Sequence, residues 1–224
     1  MWNSANNTEQ IEARRIELLE KGFELFSSRG IESVTMQDVA GYVGCGIASL
    51  YRYFDKKPGY VVAVATWKWE QFLEENRKRR EAPDFDQSTA VQIFEFYLDS
   101  FLEMYRNYKE LLRFNQFFNL YVKSADIDAD TLKPYRIAIE ELKDQFDDLY
   151  RRAEQDKTLR TDIPIEEMFS TTLHLMLAAV TRYAIGLVYL PEAGTDTEAE
   201  LSVLKEMLLD RFRRQPQIQA SEEL

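Results

Sequence analysis

Five residues close together in the sequence have the chemistry to grip a nucleic acid. Ser49, Tyr51 and Tyr53 carry hydroxyls that donate to phosphate oxygens. Arg52 carries a guanidinium that reaches either a phosphate or a guanine edge, and Lys57 adds a second cation. Ala48 and Ser49 are small enough for a helix bearing them to approach base edges. Leu50 and Phe54 are the inward-facing positions of that same helix. The hydroxyl-bearing tyrosines also suit partial burial against a preceding helix, and these polar side chains also suit an ordinary helix surface.

Catalytic chemistry has little to work with. One cysteine, Cys45, and one histidine, His174, leave no intrachain disulfide, no cysteine-rich zinc site and no marked Cys–His pair. No catalytic residue, metal site or cofactor is expected. The run Asp126-Ile127-Asp128-Ala129-Asp130 lacks the glycine and the bidentate glutamate of a calcium-binding hand, and reads as a solvated acidic loop. Carboxylates outnumber Lys and Arg by 39 to 28, a net charge of −11, which opposes non-specific adhesion to nucleic acid. The charge is unevenly placed, however. Residues 1–60 carry 7 basic and 8 acidic side chains, so nearly all the excess lies beyond them. Arg52, Lys56 and Lys57 form a small basic cluster.

The elements that must position these residues are helices. The chain of 224 residues has only 8 Gly and 6 Pro, which favours long helices over a loop-rich sandwich. Ile16, Leu19, Phe23 and Phe26 follow helical steps, and Gly30 stops that helix. Thr35-Met36-Gln37-Asp38 reads as a capping box opening a helix over 36–42. Gly44-Cys45-Gly46 breaks it, and a second short helix spans 47–53. Two short helices across a glycine turn have helix-turn-helix geometry, although that spacing alone also fits any pair of short helices. Longer helices are predicted at about 58–80, 88–106 (opened by Ser88), 108–123, 131–156 (Pro134 in its first turn), 165–190 and 195–214. A disordered tail follows Pro216. The apolar stretch 173–190 is interrupted by His174, Thr181, Arg182 and Gly186, and reads as a buried helix rather than a membrane span. The polar N-terminus has no export signal, so a cytoplasmic protein without membrane association is expected.

The residues Thr35-Met36-Gln37-Asp38-Val39-Ala40, Gly44, then Ser49-Leu50-Tyr51-Arg52-Tyr53-Phe54 and Lys57 resemble the DNA-binding domain of the tetracycline-repressor (TetR) family. The resemblance covers about residues 12–60 without a gap. Val43, Cys45 and Gly46 depart from the family's usual Ala, Val and Ser. Gly46 removes a side-chain cap from the recognition helix, at a cost of only a few tenths of a kcal/mol.

The resemblance implies an all-α protein. An N-terminal three-helix helix-turn-helix domain (1–60) would precede a C-terminal helical effector-binding and dimerisation domain (61–224). The implied DNA-facing residues are Thr35, Gln37, Ser49, Tyr51, Arg52, Tyr53 and Lys57. Among them Tyr51, Tyr53 and Lys57 hold phosphates, and Gln37, Ser49 and Arg52 read sequence. Thr35 both caps a helix and faces DNA.

The implied partners are double-stranded DNA with a palindromic operator, a small-molecule effector and a second copy of the chain. The last two helices would pair with their symmetry mates. Phe169, Leu173, Met176, Leu177, Val180, Ala184 and Leu187, with Leu201, Leu204, Leu208 and Phe212, suit either that interface or burial within one subunit. Effector candidates are Trp67, Phe94, Tyr97, Phe101, Phe114, Phe117, Phe118, Tyr121, Phe146 and Tyr150. Trp69, Phe96 and Tyr105 belong to the same aromatic-rich region. Each ring serves equally as core. His174 and Arg182, with Asn115 and Gln116, are polar groups that orient a ligand or, for His174, sit satisfied in the core.

The expected function is a homodimeric transcriptional repressor released by an apolar or aromatic effector that shifts the helix at 58–80. The alternative is a helical small-molecule-binding protein or enzyme that has lost DNA binding.

Overall fold

The structure, a computed structural model, describes residues 2–81, 85–187 and 196–215, with side chains from Thr8 onward. The described residues form nine α-helices: α1 Trp2–Arg29, α2 Met36–Val43, α3 Ile47–Tyr53, α4 Lys57–Arg80, α5 Ala90–Asn107, α6 Lys109–Ser124, α7 Ala129–Asp156, α8 Ile165–Ala184 and α9 Thr197–Phe212. The only β-pairing among them is an isolated bridge between Leu159 and Arg213. The fold is all-α.

Local signals set the helix ends. Gly30 takes φ +84° and stops α1, and Gly44 takes φ +70° at the end of α2. Both lie in the left-handed region that a side chain disfavours. The Thr35 hydroxyl accepts from Asp38 N at 3.1 Å, while Thr35 N donates to Asp38 Oδ2 at 2.8 Å, which completes the capping box. Gly46 caps α3 with no side-chain bond.

Four expected boundaries move. Thr89, not Ser88, caps α5, because Gln92 returns to its backbone and Asp156 Oδ2 accepts from Ala90 N at 2.6 Å. Helix α7 starts at Ala129, since Asp128 accepts from Thr131 N at 2.8 Å. Pro134 therefore lies in the second turn and forgoes a bond to the Asp130 carbonyl. The acidic stretch at 126–130 thus supplies a helix cap. Helix α8 ends at Ala184, and Gly186 with φ +79° turns the chain six residues after Val180 rather than extending the helix to Leu190. Helix α9 is shorter than expected at both ends, starting after the Asp196 cap. The tail beyond Pro216 lies outside the described residues.

A single buried side chain ties α1, the end of α3 and the start of α4 together. Tyr60, in the first turn of α4, is fully buried. Its ring lies 4.7 Å from that of Phe54 at the end of α3 and 5.6 Å from that of Phe26 on α1. Its hydroxyl donates to the Leu18 carbonyl at 2.5 Å. This contact needs a glycine: a Cβ at Gly22 would sit 2.0 Å from the Tyr60 hydroxyl. Burial pushes the Tyr60 phenol far above the ordinary tyrosine range, so it stays a donor at neutral pH.

The remaining helices form the larger part of the core. Helix α4 packs on α7, α5 on α8 and α9, and α6 on α1 and α8. Met176, Val180, Ala184, Leu201, Leu208 and Phe212 are buried within the subunit.

Three outcomes follow. Gly22→Ala overpacks the Tyr60 seat and lowers stability by about 1–3 kcal/mol. In a Tyr60→Phe background the same change costs less, which thermal denaturation of the four proteins measures. Thr35→Ala removes the α2 cap at a cost of about 1 kcal/mol, read by urea titration. The Thr35 hydroxyl and backbone hold the Asp38 carboxyl below its ordinary range. Its contribution is therefore present above the ordinary carboxyl pKa and is lost as pH falls through the lower folded value. Asp38→Asn flattens that acid limb.

Candidate functional site

The helix-turn-helix presents most of the expected contact residues to solvent. Thr35, Gln37, Tyr51 and Arg52 are exposed, with Tyr51 at 45%, and Ser49, Tyr53 and Lys57 are half-buried. Leu50 and Phe54 are buried one turn apart on the opposite face of α3. The exposed stripe of α3 therefore runs through Ile47, Ala48, Tyr51 and Arg52. Arg52 places its guanidinium 5.7 Å from the Tyr53 ring, a cation–π contact.

Lys57 joins α4 to the start of α2. Its Nζ donates to the Glu32 carbonyl at 3.4 Å and lies 5.4 Å from the Tyr121 ring. Partial burial holds its pKa below the ordinary lysine value, with the Glu32 and Asp38 charges opposing that shift. Helix α4 begins here with no side-chain cap. The thiol of Cys45 is half-buried in the turn, and His174 lies on α8, so the two do not form a pair.

The second candidate site is a narrow slot between α4, α5, α7 and α8. Its walls are mainly Trp69 and Phe72 of α4, Phe96, Tyr97, Phe101 and Met104 of α5, Leu142 and Phe146 of α7, and Phe169 and Leu173 of α8. Asn76, Ser100 and Gln145 are its polar members. The cavity between these walls is small, about 50 Å³, so an occupant must be slender. Phe146 joins its walls, stacking on Tyr97 at 5.3 Å and meeting Phe169 edge-on at 5.1 Å. Burial raises the Tyr97 phenol, and the neighbouring Arg80 opposes that rise.

Of the residues singled out in the sequence, Tyr97, Phe101 and Phe146 line this slot. Phe94 lies in the core behind Phe146, against Phe212. Phe114 and Phe118 stack on each other, Phe114 also meets Phe23 and Phe26 of α1, and Phe117 lies against Gly30. Together with Tyr121 beneath Lys57 they form the joint between α6 and the DNA-binding helices. Trp67 sits under the Lys68 ammonium, 4.6 Å from its ring centre, and Trp69 is the tryptophan in the slot wall. Tyr150 donates to the Thr161 and Ile163 carbonyls and pins the turn before α8. His174 is exposed rather than a core residue, and with Arg182, Asn115 and Gln116 it borders a separate open groove between α6 and α8. Period-3.6 spacing marked most of the internal residues, although Ile16 and Leu187 are exposed. It did not distinguish the faces of α4 and α5, so Trp69, Phe72 and Asn76 were missed.

Among the described residues no helix is long and apolar enough to cross a membrane, and no group of three or more His, Cys, Asp or Glu stands ready for a metal. Residues 18–64 match the model of bacterial regulatory proteins of the tetR family. No curated protein matches in sequence. Many solved structures share the fold. One is a TetR-family transcription regulator from Marinobacter aquaeolei, 15% identical over 93% of this chain and 100% of that one, with a TM-score of 0.63. Another is the ketosteroid transcriptional regulator of Mycobacterium tuberculosis, 15% identical over 90% and 96%, with a TM-score of 0.63. A third is the transcriptional regulator FadR of Bacillus subtilis in complex with stearoyl-CoA, 12% identical over 87% and 97%, with a TM-score of 0.65. Residues 18–64 thus match the tetR family of bacterial regulatory proteins, and the chain shares the all-helical fold of solved TetR-family regulators.

Proposed function

We propose that the protein is a homodimeric repressor that binds a palindromic operator and leaves it when a small apolar or aromatic effector enters the slot. In this reading residues 1–60 are the DNA-binding domain and 61–224 the effector and dimer domain. Tyr51, Tyr53 and Lys57 hold phosphates, Gln37, Ser49 and Arg52 read bases, and Thr35 positions the start of α2. The observation that carries the reading is the continuity of α4. It runs unbroken from Lys57 at the DNA end to Trp69, Phe72 and Asn76 in the slot wall. Nineteen residues at the helical rise separate Lys57 from Asn76 by about 28 Å. A ligand that parts α4 from α7 would tilt this rod and displace the recognition helix at its other end. Such release requires the effector to bind the free protein more tightly than the DNA-bound one.

The dimer surface is argued from what α8 and α9 leave uncovered. Leu175 on α8 and Val203 and Met207 on α9 are large, apolar and 47–65% exposed. Val203 and Met207 lie one turn apart on one face of α9. A two-fold axis through this surface would cover both patches with one self-complementary contact.

Lys57→Ala is expected to weaken DNA binding and to lower the salt slope by about one contact per subunit, measured by titration of a bound genomic fragment. Unchanged affinity and slope contradict the phosphate role. Val203→Glu combined with Met207→Glu is expected to give a folded monomer by light scattering and circular dichroism. A dimer that survives both changes excludes this surface.

A further inference from the structure

Trp69, Phe72, Asn76 and Arg80 recur along α4 at steps of three and four, so they share one face. The first three line the slot, and Arg80 lines the groove that continues between α4 and α7. Gln145 borders both spaces. The face thus passes from two rings to a carboxamide and then to a guanidinium.

The polar end of this face is incompletely satisfied. Asn76 is only 8% exposed, and its Oδ1 has no hydrogen-bond partner. Arg80 Nε is also buried without a hydrogen-bond partner. Buried polar atoms are ordinarily paired, so an acceptor and a donor left open one turn apart mark a place for a ligand group. Trp69 Nε1, on the same face, is a further buried donor without a hydrogen-bond partner, whereas two hydroxyls of the wall are engaged. Ser100 Oγ donates to the Phe96 carbonyl at 3.0 Å, and the Tyr97 hydroxyl approaches the Gln145 carbonyl at 3.5 Å.

The charges nearby limit what that group can be. No Asp, Glu, Lys or Arg lines the slot. In the adjoining groove Glu70, Glu74 and Glu141 face Arg77 and Arg80, and Arg77 is bridged to Glu74 at 2.7 Å. An anionic head would meet this acidic excess, and a cationic head would meet Arg80. A neutral head with both a donor and an acceptor meets neither obstacle.

We infer that the slot takes a neutral amphiphile, with a slender apolar body between Trp69, Phe72 and Phe101 and a carboxamide-like head that donates to Asn76 Oδ1 and accepts from Arg80 Nε. The inference rests on the effector reading for its biological meaning, and its chemistry is tested on the protein without DNA. Three probes with one body separate the possibilities: 4-pentylbenzamide, 4-pentylbenzoate and pentylbenzene, titrated calorimetrically into the full-length protein. The amide is expected to bind at least about tenfold more tightly than either of the others. Asn76→Leu is expected to bring the amide to the level of pentylbenzene. Met104→Trp, which fills the slot, is expected to abolish binding of all three. The order of the three probes on the unaltered protein decides the matter even if a variant fails to fold. Tightest binding by the benzoate, equal binding of amide and hydrocarbon, or no binding by any probe overturns the inference. Failure of the protein to bind DNA would contradict the proposed function and leave the probe order intact.

Discussion

The arrangement of the whole molecule depends on the seat of Tyr60. One phenol ring touches α1, the end of α3 and the start of α4, and its hydroxyl ends on the Leu18 carbonyl. The seat exists because Gly22 has no side chain to fill it. Recognition by a helix-turn-helix requires the second helix to be presented at a fixed angle from a rigid body. Helix α3 has only seven residues and no side-chain cap, so it cannot hold that angle by itself. Leu50, Phe54 and Tyr60 hold it from beneath, leaving Tyr51 and Arg52 outward.

From that seat α4 carries the geometry into the larger helical body. A second connection runs beside it. Phe114 and Phe118 of α6 stack together and reach Phe23, Phe26 and Tyr135, while Lys57 leans on Tyr121. The aromatic density of this region therefore serves two ends. One set of rings makes a dense joint between α1 and α6, and another set walls the slot. A joint packed this closely moves as a unit rather than deforming gradually. That is the mechanical condition under which a change in the slot would reach the DNA face.

Much of the fold was legible because it is written in local signals. The Thr35–Asp38 box, Gly30, Gly44 and the Pro58 start each act within a few residues, and the short helices fell where these signals put them. Errors arose where a signal was ambiguous or came from afar. Gly186 inside an apolar stretch reads as tolerated until its φ of +79° shows a turn. The start of α5 is fixed partly by Asp156, 66 residues away in sequence. The DNA-binding domain was legible as a gapless run of residue types. The slot was not, because a wall residue and a core residue share the same hydropathy. Phe94 and Phe101 differ only in which neighbour α5 turns them toward.

The central claim is that the face from Thr35 to Lys57 binds one DNA sequence as a two-fold pair. Its most direct test is selection of bound fragments from the source genome by the purified protein at two salt concentrations. The account predicts enrichment of one short palindrome, weakening as salt rises. A folded dimer that enriches no sequence at either salt concentration would contradict it.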